Sequence, residues 1–185
     1  QGRVLAIVRK FAYFRKVRMT TAASATAQLG AFLAKYSPEI AARAQAILKK
    51  MRTRYPSALE LVYDNYNALA IGFCPSERPS EAIFSIVLFP QWVTLCFLQG
   101  KGLPDPKRIL QGDGNQVRHI RLPSTETLDD PAVIALMQAA AARAKVPFDT
   151  AGKHRLIIRS VSAKQRPRRA AESAPTTRTG KAAKS

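Results

Sequence analysis

Apolar residues recur at helical spacing in the first part of the chain and in short continuous runs in the middle. From Ser24 to Tyr36, Leu29, Phe32, Leu33 and Tyr36 fall on one face and predict a short amphipathic helix. Ser37-Pro38-Glu39 restarts the pattern. Serine is a favoured N-cap, proline fits the first helical position, and Glu39 early with Lys49, Lys50, Arg52 and Arg54 late complements the helix dipole. Ile40, Ala44, Ile47, Leu48 and Met51 form the buried stripe of this second helix, and Pro56 ends it. The texture then changes to strand-like runs over 59–63, 68–74, 82–89 and 92–98, separated by turn residues. Short connections make these strands antiparallel neighbours. In the third run both parities are apolar, so the sheet is expected to be covered on both faces, with a second subunit as one candidate cover. Residues 117–122 offer a fifth strand after an irregular loop. Asp130-Pro131 opens a last helix, with Val133, Ile134, Met137 and Ala141 as its stripe and Pro147 as its stop. The fold class read from this order is α+β: an antiparallel sheet of four to five strands, two N-terminal helices and one C-terminal helix.

Charge divides the 185 residues differently. The chain carries 30 Lys+Arg against 12 Asp+Glu, a net +18. Residues 1–18 hold six basic and no acidic side chains, residues 19–150 fourteen and eleven, and residues 151–185 ten and one. The excess therefore belongs to the ends, and the near-neutral middle is the part able to bury a core. The expected organisation is a basic arm over 1–18, an α+β domain over 19–152, and a basic, mostly disordered tail over 153–185. Met19 opens a small polar stretch of ordinary type, so 1–18 reads as upstream residues or residues added for expression, with a targeting or membrane-surface helix as the alternative. Within the tail, Leu156, Ile157, Ile158 and Val161 suffice for one short added strand.

No apolar stretch reaches the roughly 20 residues of a spanning helix, because Pro75, Glu77, Arg78, Pro79, Glu81 and Pro90 interrupt the apolar runs. The two cysteines, Cys74 and Cys96, are too few for a disulfide framework or a paired-thiol metal site, so a cytoplasmic, reducing setting is the expectation.

Three groups of residues carry candidate chemistry. Lys101, Lys107, Arg108, Arg118, His119 and Arg121 lie among Gly100, Gly102, Gly112 and Gly114, where backbone amides and guanidinium forks suit a small anion. In an extended strand His119 and Arg121 share one face and Arg118 takes the other. The alternative is a set of turn glycines beside a solvated edge whose arginines pair with Asp105, Asp113 or Glu126. Tyr63, Asp64 and Tyr66, with Asn65 and Asn67, sit at a strand junction and could line a cleft with Trp92, or serve as turn residues and core caps. Arg155, Arg159, Lys164, Arg166, Arg168 and Arg169 could neutralise nucleic-acid phosphates without reading sequence, since the tail has no aromatic residue for base stacking. The alternative there is a solubilising tail. No motif activates a cysteine and no His, Cys, Asp or Glu group has ligand spacing, so no catalytic residue, metal or cofactor is assigned.

Several stretches together resemble the YdhG-like family of small bacterial domains: Glu60 to Tyr66 (ELVYDNY), Ala70 to Phe73 (AIGF), Leu88 to Val93 (LFPQWV), Gly102 to Pro106 (GLPDP) and Gly112 to Arg121 (GDGNQVRHIR). The likeness spans about residues 20 to 160. It implies a small α+β fold with packed helices, in agreement with the order above. Some members are described as frataxin-like iron chaperones, but the few core acids here lie near basic residues or turns, and iron binding is carried to no position. The function read from the sequence is a binding module without catalytic activity, taking a small anionic ligand or a protein partner. The alternatives are a nucleic-acid-associated protein acting through its basic tails, and an enzyme or metal-handling protein.

Overall fold

A computed structural model describes residues 22–169. The arm expected over 1–18 and the end of the tail, 170–185, lie outside the described residues. Helix α1 (Ala22–Leu33) and helix α2 (Pro38–Arg54) come first. The Ser37 hydroxyl accepts the Ile40 amide at 3.3 Å, and the predicted stripe from Ile40 to Met51 is the buried face of α2. Strands β1 (Leu59–Asp64), β2 (Leu69–Cys74), β3 (Phe84–Leu88), β4 (Val93–Phe97) and β5 (Arg118–Leu122) follow. Helix α3 (Pro131–Ala142) is capped by Asp130, whose carboxylate accepts the Ala132 amide at 2.8 Å. It ends before Pro147 and buries Leu136, a position outside the predicted stripe, with Val133 and Met137.

The sheet corrects the expected architecture. It has six strands in the order β5-β4-β3-β2-β1-β6, and it is mixed. Strand β6 (Arg155–Val161) runs parallel to β1, so β1 is an inner strand and not an edge. A parallel partner needs a long crossover, and the passage through α3 supplies it. The sheet thus continues past the boundary expected at residue 152, and described chain reaches Arg169.

Pairing register assigns the two faces. Val62, Ile71, Phe73, Phe84, Ile86, Leu95, Phe97 and Ile120 join residues of α1, α2 and α3 in the main core. The opposite face holds Leu61, Tyr63, Ala70, Val87 and Cys96, also buried, and no helical residue among those described belongs to this second cluster. One row across it reads Leu61, Gly72, Ser85, Cys96, His119, and the next reads Tyr63, Ala70, Val87, Thr94, Arg121. The outer edge of β5 is closed at its centre by Gln111, which exchanges two backbone hydrogen bonds with His119.

Two acids of β1 point toward the helices, and both are fully buried. Glu60 accepts Arg52 Nε at 2.6 Å and Nη2 at 2.8 Å in a two-pronged contact, and pairs with His154 Nε2 at 3.0 Å. Burial pushes its carboxyl up, but the Arg52 and His154 hydrogen bonds outweigh that and hold it below the usual value. A lowered native value gives stability that is full above the unfolded pKa, near 4.5, and is lost as pH falls through the native one. Glu60→Gln is therefore expected to cost about 1–3 kcal/mol at neutral pH. Urea unfolding between pH 7 and pH 3 should show a shallower acid loss in the variant than in the parent; equal slopes would remove Glu60 as a source of the acid sensitivity.

Candidate functional site

The glycine-rich loop does not gather its cations. Arg118 lies on the helix side of β5 and its Nη1 donates to the Gly114 and Val117 carbonyls, so it fastens the loop. Gly100 passes so close that a Cβ there would stand 2.6 Å from Arg118 Cβ. Asp105 accepts the amides of Ile109 and Leu110, and is used up in shaping the same loop. Lys101, Lys107 and Arg108 are exposed, and Arg108 takes a positive φ of 53° at the turn. On the second face Arg121 stacks on Trp92 at 4.5 Å, and Trp92 stacks in turn on Phe89 at 5.1 Å. His119 is partly buried beside Gly112, which has φ 102°, and burial with the neighbouring Arg121 charge pushes its pKa down, keeping it neutral at pH 7.

Strand parity separates the second group in the same way. Tyr63 faces the second cluster, while Asp64 points to the helices. Trp92 stands near the same end of the sheet as Asp64 but beyond β2 and β3, so the two share no cleft.

The structure instead joins this group to the C-terminal one. After β6 the chain turns back over the β1–β2 turn. The Ser162 amide donates to the Asp64 carbonyl at 2.8 Å and the Arg166 amide to the Tyr66 carbonyl at 2.9 Å. Asp64 then receives two cations: Lys35 Nζ at 2.6 Å and Arg168 Nη2 at 3.0 Å. Arg168 is 4% exposed, its Nη2 also donates to the Asn65 carbonyl, and its guanidinium lies 5.6 Å from the Tyr36 ring centre. Lys35 also donates to Gln165 Oε1 at 2.8 Å. Arg169 donates to the Tyr36 and Ala34 carbonyls beyond the end of α1, each at 2.7 Å, where free carbonyls attract a cation. Outside this knot, Arg166 sits over the exposed Tyr66 ring at 5.8 Å.

Two more of the candidate arginines in the extension, Arg155 and Arg159, are also engaged, whereas Lys164 projects from it exposed. Arg155 pairs with Glu77 at 2.7 Å, and Arg159 donates to the Glu77 carbonyl at 2.7 Å. Tyr36 ties the floor together: its hydroxyl donates to the Leu88 carbonyl at 3.1 Å and accepts the Leu69 amide at 2.9 Å. Burial raises its pKa to about 12, so it stays a neutral phenol.

Lys35, Tyr36 and Gln165 were not singled out by sequence reasoning. The available signal was Asp64 itself, an acid ending an apolar strand, which demands a cation from elsewhere in the chain. Burial raises the thiols of Cys74 and Cys96 to about 12, so both stay protonated at neutral pH. Among the described residues no group of three or more His, Cys, Asp or Glu is placed to hold a metal ion, and no helix is long and apolar enough to cross a membrane. Comparison with family models, with curated proteins and with solved structures finds no match to this chain.

Arg168→Met should cost about 3 kcal/mol or more, because a buried carboxylate loses its buried partner. Lys35→Met should cost under about 1 kcal/mol, since its side chain is 38% exposed. Equal shifts of the two denaturant midpoints would refute this ranking. Both thiols should resist a thiol-specific reagent at pH 8 in the native chain and react on unfolding; rapid labelling of the native protein would contradict their burial.

Proposed function

We propose that this protein is a binding module without catalytic activity, of the YdhG-like kind, which takes an anion-bearing ligand where the β1–β2 turn meets the C-terminal extension. A bacterial, cytoplasmic setting belongs to the same proposal. The observation that carries it is the convergence of two groups that are far apart in sequence. Residues 64–67 and 165–169 form one polar site, with Arg168 and Asp64 at its floor and Tyr66 and Arg166 at its mouth. An exposed aromatic ring beside an arginine is a frequent anchor for a ligand or partner. The cationic surroundings favour a carboxylate or a phosphate over a neutral group.

The nucleic-acid alternative is less well supported by the same residues. Arg155, Arg159, Arg168 and Arg169, four of its six named contacts, are each held by hydrogen bonds within the protein. Phosphate neutralisation needs side chains that are free to reach the backbone of the polymer.

An amide-resolved NMR titration of the 15N-labelled full chain tests the reading, with phosphate, citrate and a nucleoside monophosphate as probes. The expected result is saturable shifts at Asn65–Ala68 and Gln165–Arg169 that are lost in Arg166→Ala. No saturable shift there, together with binding of duplex DNA that fades steeply with salt, would overturn it in favour of the polyanion reading.

A further inference from the structure

Arg168 has more donors than the described residues answer. A guanidinium carries five N–H groups. The two on Nη2 serve Asp64 and the Asn65 carbonyl, whereas Nε and Nη1 are buried and meet no acceptor among the described residues. The Tyr36 ring offers its face but no lone pair. The β1–β2 turn contributes a second unanswered group, the side-chain carbonyl of Asn67, which is likewise buried without a partner among the described residues. A half-turn of that carboxamide presents its NH2 group in place of the oxygen. Charge points the same way, because the single negative charge of Asp64 faces both Arg168 and Lys35, and Arg166 and Arg169 lie beside Arg168 in sequence. A buried cation with unfilled N–H groups is costly, and a buried water would fill the hydrogen bonds without balancing the charge.

We infer that Nε and Nη1 of Arg168, with the Asn67 carboxamide, form an inner subsite for one compact anionic group. The occupant is a small inorganic anion or the carboxylate or phosphate end of a larger ligand held at Tyr66 and Arg166. This assignment rests on the proposed binding role of the junction and adds to it the atoms that hold the charge. Occupancy also fastens the extension, since among the described residues beyond β6 Arg168 is the one that is buried.

The side-chain Nε–H resonance of Arg168 reads the subsite directly in the wild-type full chain. Bromide, phosphate and citrate are titrated from a chloride-free buffer at constant ionic strength. The expected result is a saturable shift of that resonance, reduced at least tenfold in apparent affinity by Asn67→Ala. Saturation by bromide and phosphate alike assigns a free inorganic anion; saturation by citrate alone assigns the carboxylate end of a larger ligand. A resonance that stays put while amide signals at Asn65–Ala68 still saturate overturns the inner subsite and leaves the outer binding role standing. If neither responds, both fall. Crystals soaked in bromide give an independent reading: anomalous density within hydrogen-bond distance of Nε or Nη1 supports the subsite, and water alone at those nitrogens overturns it.

Discussion

Two carboxylates on one strand, four residues apart and without access to water, organise the rest of this molecule. Glu60 and Asp64 lie on the helix side of β1, and an ionised acid there is tolerable only with cations in contact. Each acid is answered from two directions. A helix or its end supplies one cation, Arg52 for Glu60 and Lys35 for Asp64, and the C-terminal extension supplies the second partner, the His154 imidazole for Glu60 and the Arg168 guanidinium for Asp64. Strand β6 is held between these two contacts, so its position beside β1 is set electrostatically at both ends and by apolar packing between them.

That arrangement changes the meaning of the basic extension. By composition it resembles a solvated tail. In the structure much of its charge up to residue 169 acts as a set of clips: Arg155 and Arg159 on Glu77, Arg168 on Asp64, Arg169 on the carbonyls beyond α1. A count of lysines and arginines cannot separate side chains that will be spent inside a fold from those left to meet a partner. The separation depends on where acids are buried; Glu60 stood within an apolar run, whereas Asp64 followed its end and read as a turn residue.

Local chemistry was legible in the chain and long-range pairing was not. The caps at Ser37 and Asp130, the stripe of α2 and the positions of five strands follow from spacing and turn residues, because each depends on neighbours a few positions away. The parallel β1–β6 pair has no such signature. Arg155 and Arg159 break the apolar pattern of β6, and their partner Glu77 lies far back in the chain. The candidate site shows the same division. Tyr63 to Asn67 and Arg166 to Arg169 were each recognisable as unusual, but only the fold brings Asp64 to Asn67 against the second of these groups, and it leaves Tyr63 and Trp92 on the other sheet face. The second sheet face illustrates the limit of period-two reasoning: runs that are apolar in both parities say that both sides are covered without saying by what.

The inner position of β1 also bears on how the chain reaches its fold. Leu59 pairs with Arg155, so nearly the whole domain must leave the ribosome before β1 gains its second neighbour and Asp64 its buried cation. Until then a nascent sheet presents an apolar strand with one open hydrogen-bonding edge and two acids in need of partners, a template for pairing with another chain. Closure is a late, non-local event of the kind that slows folding. A chain ending just after α3 would remain in that unfinished condition, and its failure would be aggregation through the edge of β1.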